Sequence, residues 1–258
     1  MVFKLTQGLV TVDYSSPLAT LFIDRPEVLN AYNEELLNQL EKKLEEIFKK
    51  QDINAVILTG RGNRAFTVGA DLDWLESLNS KEAQKISQKG QRICNLIENS
   101  TKVVLAAING YALGGGMEIT LACDLRIAST RARFGQPEVG LGIIPGFGGT
   151  QRLSQLIGKG KAKELLFTGN IVNAERASEI GLVNKLVTPR DLLKESKELA
   201  YDITEQSSQA IGLLKKVMNK DASSSPARSK CESEAFGLCF ENEEHLERIK
   251  NLKEVIKT

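Results

Sequence analysis

Histidine is almost missing from this sequence: a single residue, His245, in 258. Ser-His-Asp and Cys-His relays and His-rich zinc sites therefore rest on one candidate. That candidate lies in the run 241–247, Glu-Asn-Glu-Glu-His-Leu-Glu, which reads as a solvated helix face. Proton chemistry falls instead to carboxylates, Lys, Tyr or Cys. Cysteine is sparse as well. Cys94, Cys123, Cys231 and Cys239 form no C-x-x-C pair, so a reduced setting is the expectation. An excess of charge of one sign is lacking, with 34 Lys and Arg against 33 Asp and Glu. No basic face or tail marks a nucleic-acid binder. The longest apolar run, Val103 to Ile108, has six residues, whereas a membrane span needs about twenty. The opening residues Met1 to Gln7 lack the apolar core of a secretory signal, and a cytoplasmic protein with no membrane partner is expected.

What is present is a regular alternation. Strand-like apolar runs stand at Leu18 to Asp24, Ala55 to Thr59, Val103 to Ile108, Asp124 to Ala128 and Leu182 to Val187. Helical spacing lies between them. It is clearest over Glu34 to Lys50, where Leu36, Leu37, Leu40, Leu44, Ile47 and Phe48 recur at steps of three and four. Acids open that segment and Lys49 and Lys50 close it, as the helix dipole favours. Lys81 to Ile97 and Thr150 to Ile157 repeat the pattern more weakly. Alternation of this kind predicts an α/β fold with its site on loops at strand ends. From Asp191 onward the chain is almost continuously helix-forming, interrupted at the Ser-rich turn Asp221 to Pro226. The expected division is an α/β body over 1–190 and a helical lobe over 191–258, too polar to form a strong core alone.

Glycine concentrates in two segments, 110–118 and 140–149. Neither carries a phosphate-loop or dinucleotide fingerprint. The first follows the apolar strand Val103 to Ile108 and opens a helix expected over Gly116 to Cys123, so its backbone N–H groups meet the positive end of a helix dipole. A tight strand-to-helix crossing accounts for the same glycines. Glu118 stands in that helix among apolar, Gly and Thr neighbours, where an unpaired acid is costly to bury. Glu138, in Phe134-Gly135-Gln136-Pro137-Glu138-Val139-Gly140, is likewise isolated from other charges. Each alone reads as a structural acid. Two beside glycine loops suit a general acid and base pair whose protonation states burial separates. A glycosidase also uses two carboxylates, but aromatics are only 5 % of this chain, with one Trp. A third segment, Arg64 to Trp74, holds Gly69 and Ala70, small enough for a ligand to reach the backbone. It reads equally well as a loop and helix start.

Four motifs in order resemble the crotonase family, the enoyl-CoA hydratase/isomerase superfamily. They are Arg25-Pro26-x-x-Leu29-Asn30-Ala31; Ala65-Phe66-x-x-Gly69-Ala70-Asp71-Leu72; Asn109 to Glu118 running on to Cys123-Asp124; and Phe134 to Glu138 running on to Ile144-Pro145-Gly146-Phe147-Gly148-Gly149-Thr150-Gln151-Arg152-Leu153. The resemblance implies a spiral of β-β-α units with a C-terminal all-helical lobe, assembled as homotrimers or dimers of trimers. It implies an acyl-CoA thioester as substrate, with no cofactor besides and no metal. By the same resemblance the amides of Ala70 and Gly115 form an oxyanion hole, and Glu118 and Glu138 are the catalytic glutamates. Val28, Leu29, Ala31, Asp71, Leu72, Gly114 and Trp74 are the implied substrate contacts.

Hydratases of the family carry both glutamates, and simple double-bond isomerases generally keep only the second. The implied activity is therefore hydration of a 2-enoyl-CoA, with isomerisation or idle acyl-CoA binding as alternatives. The chain departs from the pattern where Glu27 and Asp73 replace common lysines. Its C-terminal helix also differs, which leaves Arg248, Lys250 or Lys253 as the bases available to the adenine end.

Overall fold

The computed structural model describes residues 8–220 and 225–256. Met1 to Gln7 and most of the Ser-rich turn read at 221–226 lie outside them. The described elements run in chain order as β1 (Val10–Ser15), β2 (Leu18–Ile23), α1 (Glu34–Lys49), β3 (Ala55–Gly60), β4 (Ala65–Thr67), α2 (Leu72–Glu76), α3 (Ser80–Glu98), β5 (Val103–Ile108), β6 (Tyr111–Leu113), α4 (Gly115–Ala122) and β7 (Leu125–Ser129). There follow β8 (Arg133–Gly135), α5 (Gly149–Ile157), α6 (Lys159–Thr168), β9 (Val172–Asn173), α7 (Ala174–Glu179), β10 (Lys185–Val187), α8 (Leu192–Thr204), α9 (Ser208–Asn219), α10 (Ser225–Leu238) and α11 (Glu244–Ile256).

The strands sort into two sheets in strict rotation. A six-stranded sheet has the order β1-β2-β3-β5-β7-β10 and a four-stranded one the order β4-β6-β8-β9. Each of β3, β5 and β7 enters the large sheet, and the strand after it, β4, β6 or β8, enters the small one. This is the spiral of β-β-α units. Except for the β1–β2 hairpin the large sheet is parallel, and parallel strands buried on both faces read as unbroken apolar runs. Strand β5 is buried at every position.

Side-chain alternation divides the core. Val56, Leu58, Val104, Ala106 and Ile108 face α1, α3 and α4, together with Leu37, Leu40, Ile93, Cys94 and Met117. Ala55, Ile57, Val103, Leu105 and Ala107 face the other way, onto Leu192 and Ala200 of α8. Helix α1 is capped by Asn33, whose side chain accepts the Leu36 N–H. Helix α3 opens on a capping box of Asn79 and Glu82.

The helical end of the chain is fastened by one buried cation. Lys215 of α9 is 7 % exposed. Its Nζ donates to Asp124 Oδ2 at 2.7 Å and to the carbonyls of Ile97 and Lys102, each at 3.0 Å. Asp124 Oδ2 also accepts the Val104 N–H at 2.7 Å. Here the outcome differs from the sequence reading, which began a strand at Asp124. The residue caps the edge of β5, and β7 starts one residue later. The run from Leu182 likewise becomes strand only at Lys185, because Gly181 at φ +81° turns the chain and sends Leu182 and Val183 inward as buried turn residues.

Candidate active site

Helix α4 follows β6 without a linker, across Gly114 at φ +52°. Its first intrahelical bond runs from Glu118 N–H to Gly114 O, 3.0 Å. The amides of Gly115, Gly116 and Met117 therefore precede any intrahelical acceptor and carry the positive end of the dipole. Facing them is the segment after β4. Tyr32 and Ala70 form an isolated parallel bridge, in which Tyr32 N–H donates to Gly69 O and Asp71 N–H to Tyr32 O, both at 2.9 Å. Because an extended chain alternates its amides between two edges, the Ala70 N–H points away from Tyr32. Gly69 approaches so closely that a Cβ there would sit 3.5 Å from the Gly115 nitrogen. Two consecutive β-β-α units thus bring segments 69–70 and 114–115 together.

Glu118 lies one helical turn in and is 1 % exposed. Its Oε1 accepts the N–H of Phe147 at 2.8 Å and of Gly149 at 2.6 Å. Those amides aim at the carboxylate because Gly148, at φ +100°, turns the chain just before α5. Arg152 of α5 holds this loop, donating from Nη1 to Phe147 O at 2.9 Å and from Nη2 to Glu98 Oε2 at 2.7 Å. Burial raises the Glu118 carboxyl above the usual range, opposed by the amides of Gly149, Phe147 and Gly146 and by the charge of Arg152.

Glu138 lies in a short 3-10 helix, Pro137–Leu141, and is 8 % exposed. A Cβ on Gly114 would stand 3.0 Å from its Oε1, which puts the carboxylate against the turn that opens α4. Burial first, and then the neighbouring Glu118, push its pKa up to about 7, against the pull of its own backbone N–H. Gln136 lies between the two acids. Hydrogen bonding assigns its amide nitrogen to Glu138, with donations to Oε1 at 2.9 Å and Oε2 at 3.1 Å, while its other end faces Gly149. Two desolvated carboxylates are thus linked electrostatically, one poised near neutrality, beside amides at a helix start. Such an arrangement can polarise a water, move a proton and stabilise an oxyanion.

The other sequence candidates spread around this cleft. Leu29 and Ala31 lie in the loop that leads to Tyr32, and Leu29 and Asn30 both adopt left-handed backbone, at φ +57° and +59°. Val28 and Leu72 are 38 % and 62 % exposed, at the outer surface. Asp71 is engaged by Arg25, whose Nη2 lies 3.3 Å from its Oδ2, so its carboxylate has a structural partner. Trp74 packs against the main core and lines a groove with Leu37 and Ile86. Glu27 and Asp73 are exposed. His245 stands in the first turn of α11, with Nδ1 2.8 Å from Asn242 O and its ring 4.5 Å from that of Phe240. It takes no part in the carboxylate cluster. Sequence reasoning missed the Phe147 and Gly149 amides, Gln136 and Tyr32. The available signal was the Pro145-Gly146-Phe147-Gly148-Gly149 run, since glycines there free backbone donors to turn inward.

Comparison with known proteins identifies the chain's relatives. The enoyl-CoA hydratase/isomerase family profile matches residues 13–257. The crotonyl-CoA hydratase of Syntrophomonas wolfei is 42 % identical over 239 residues, 92 % of each chain. The short-chain-enoyl-CoA hydratase of Clostridium acetobutylicum is 44 % identical over 236 residues, 91 % of this chain and 90 % of that one. Among solved structures, the enoyl-CoA hydratase of Bacillus anthracis superposes with a TM-score of 0.92 at 35 % identity, covering 95 % of this chain and 96 % of that one. No helix among the described residues is long and apolar enough to cross a membrane. On its fold, its profile and its relatives, the chain belongs to the enoyl-CoA hydratase/isomerase family.

Proposed function

We propose that the protein is an enoyl-CoA hydratase, adding water reversibly to a trans-2-enoyl-CoA to give the 3-hydroxyacyl-CoA, with short acyl chains preferred. The observation that carries this reading is the pairing of Glu118 and Glu138, both buried, with Glu138 held near a pKa of 7. A scaffold with no chemistry to perform gains nothing from two desolvated acids. Water sits between the carboxylates and its oxygen bonds to C3, while Glu118 accepts a hydrogen bond from it. Glu138 enters protonated and gives that proton to C2, and the water's proton returns to the pair, so one H2O is added and the pair ends as it began. The charge that develops on the thioester oxygen rests on the amides of Ala70 and Gly115. A donor of this type contributes about 3 to 4 kcal/mol to the transition state. The reaction so written draws on no metal or cofactor beyond the CoA of the substrate. The short-chain preference is taken from the similarity to the crotonyl-CoA hydratase of Syntrophomonas wolfei and the short-chain-enoyl-CoA hydratase of Clostridium acetobutylicum.

The test is turnover of purified protein on 2-enoyl-CoA thioesters of increasing length, followed by loss of the conjugated enoyl absorbance. Crotonyl-CoA is expected to give the highest kcat/KM, with a decline as the chain lengthens; no turnover at any length sinks the reading. The active pair carries one proton, on Glu138, at the start of hydration and again at its end, so kcat/KM should fall as pH rises through about 7 in both directions alike, their ratio being fixed by an equilibrium that takes up no proton. The two acids titrate as a unit, and the midpoint belongs to the pair. A hydration profile that stays level as pH rises through about 7 would contradict the assignment.

A homotrimer, or a hexamer of two trimers, belongs to the same reading. The exposed Leu141, Ile144 and Phe167, 55 %, 73 % and 72 % accessible in the single chain, supply apolar surface for it to cover. The helical segment 191–258 is assigned to this assembly as well.

A further inference from the structure

Tyr32 is the most conspicuous side chain near the cleft without a task. Its backbone is fixed from both sides. Before it, the left-handed pair Leu29 and Asn30 is held by the Asn30 amide, which accepts the Arg25 N–H at 2.9 Å and donates to the carbonyls of Arg61 and Ala65 at 3.0 and 2.8 Å. After it comes the bridge to Ala70. Its ring stacks on that of Phe147, with centroids 5.3 Å apart and planes 24° apart, and the residue is 4 % exposed.

The tip of the side chain reaches Gly115. A Cβ on Gly115 would lie 1.7 Å from Tyr32 Oη and 2.8 Å from Cζ, so glycine at 115 makes room for this hydroxyl. Among the described residues the one sealed side-chain polar atom without a partner is Asn109 Oδ1. Tyr32 Oη has no hydrogen-bond partner among the described residues and is not sealed, so the hydroxyl stays available to a ligand. A buried phenol whose hydroxyl is not sealed and has no partner among the described residues is a donor awaiting an acceptor. Burial, followed by the charges of Glu118 and Glu138, holds its proton on well above the ordinary tyrosine range.

We propose that the Tyr32 hydroxyl is a third donor to the thioester oxygen of the bound substrate, beside the amides of Gly115, which it touches, and Ala70, to which its backbone is bridged. This rests on the hydratase reading above. The acceptor is a carbonyl oxygen that gains charge during the reaction, so the bond strengthens in the transition state and appears in kcat more than in KM.

The test is Tyr32→Phe, which keeps the stacked ring and removes one atom that no described group of the protein uses, so its thermal midpoint should match that of the parent. Expected is a fall in kcat of about 10²-fold with little change in KM. A second measurement is the infrared carbonyl stretch of crotonyl-CoA bound to the Glu118→Gln protein with and without Tyr32→Phe. Loss of the hydroxyl should move the band to higher frequency. An unchanged kcat overturns the proposal. A lower kcat with an unmoved band also overturns it, because the hydroxyl then serves the water and not the thioester. Absence of turnover in the parent protein defeats the hydratase reading itself; normal parent turnover with an indifferent Tyr32→Phe defeats only this inference.

Discussion

Glu138→Gln should lower kcat for crotonyl-CoA hydration by about 10²- to 10⁴-fold, the range for removing a positioned proton carrier, while KM changes little. Gln keeps the volume and an acceptor for Gln136 but has no proton to deliver to C2. The substitution should also raise stability, and the sign follows from the direction of the pKa shift. Burial puts the folded pKa of Glu138 at about 7, above the ordinary 4.5. The folded state therefore binds the proton more tightly, and the stability this confers is complete below about 4.5 and lost as pH rises through about 7. Gln pays no such loss. Thermal unfolding should show the variant gaining on the parent between pH 5 and pH 8, by about 2 to 4 °C for each kcal/mol recovered. A variant that falls behind the parent as pH rises would show that Glu138 is not held protonated by burial.

Glu118→Gln should cost a similar factor of about 10²- to 10⁴-fold in kcat for a different reason. The Phe147 and Gly149 amides still find an acceptor oxygen, so the loop stays in place, but the charge that polarises the water is gone. Since the two acids act through one water, Glu118→Gln combined with Glu138→Gln should be little slower than the worse single variant. Steady-state kinetics on the three proteins decides it. If Glu118→Gln remains active while Glu138→Gln is inert, one carboxylate is enough, and proton shuttling between carbons, as in a double-bond isomerase, replaces hydration.

The parts of this molecule legible in the sequence are those in which one segment carries its own signal. The amphipathic spacing of Leu36 to Ile47 specified α1, and the apolar run of β5 announced a strand buried on both faces. Glu118 and Glu138 stood out because an acid among apolar neighbours is costly wherever the chain folds. The small sheet was not legible: β4, β6 and β8 have three residues each, too few to show a period, and they pair across long separations. Tyr32 was hidden for a related reason. Nothing in its neighbourhood in the chain marks it, and its position depends on Gly115 and Phe147, which only the folded chain brings to it. The family motifs pointed to the glutamates, whereas their charge state is set first by burial, with backbone amides pulling against it, and a sequence displays neither.

Lys215 gives the helical end of the chain a bearing on catalysis that its distance in sequence conceals. Asp124 follows α4, the helix that carries Glu118, and its half-buried carboxylate has Lys215 as its one cationic partner at hydrogen-bond distance among the described residues. Until α9 docks, that acid and the start of β5 lack their cation, and removal of one partner from such a pair typically costs about 3 to 5 kcal/mol. The end of the active-site helix and the docking of α9 are therefore coupled through one ion pair.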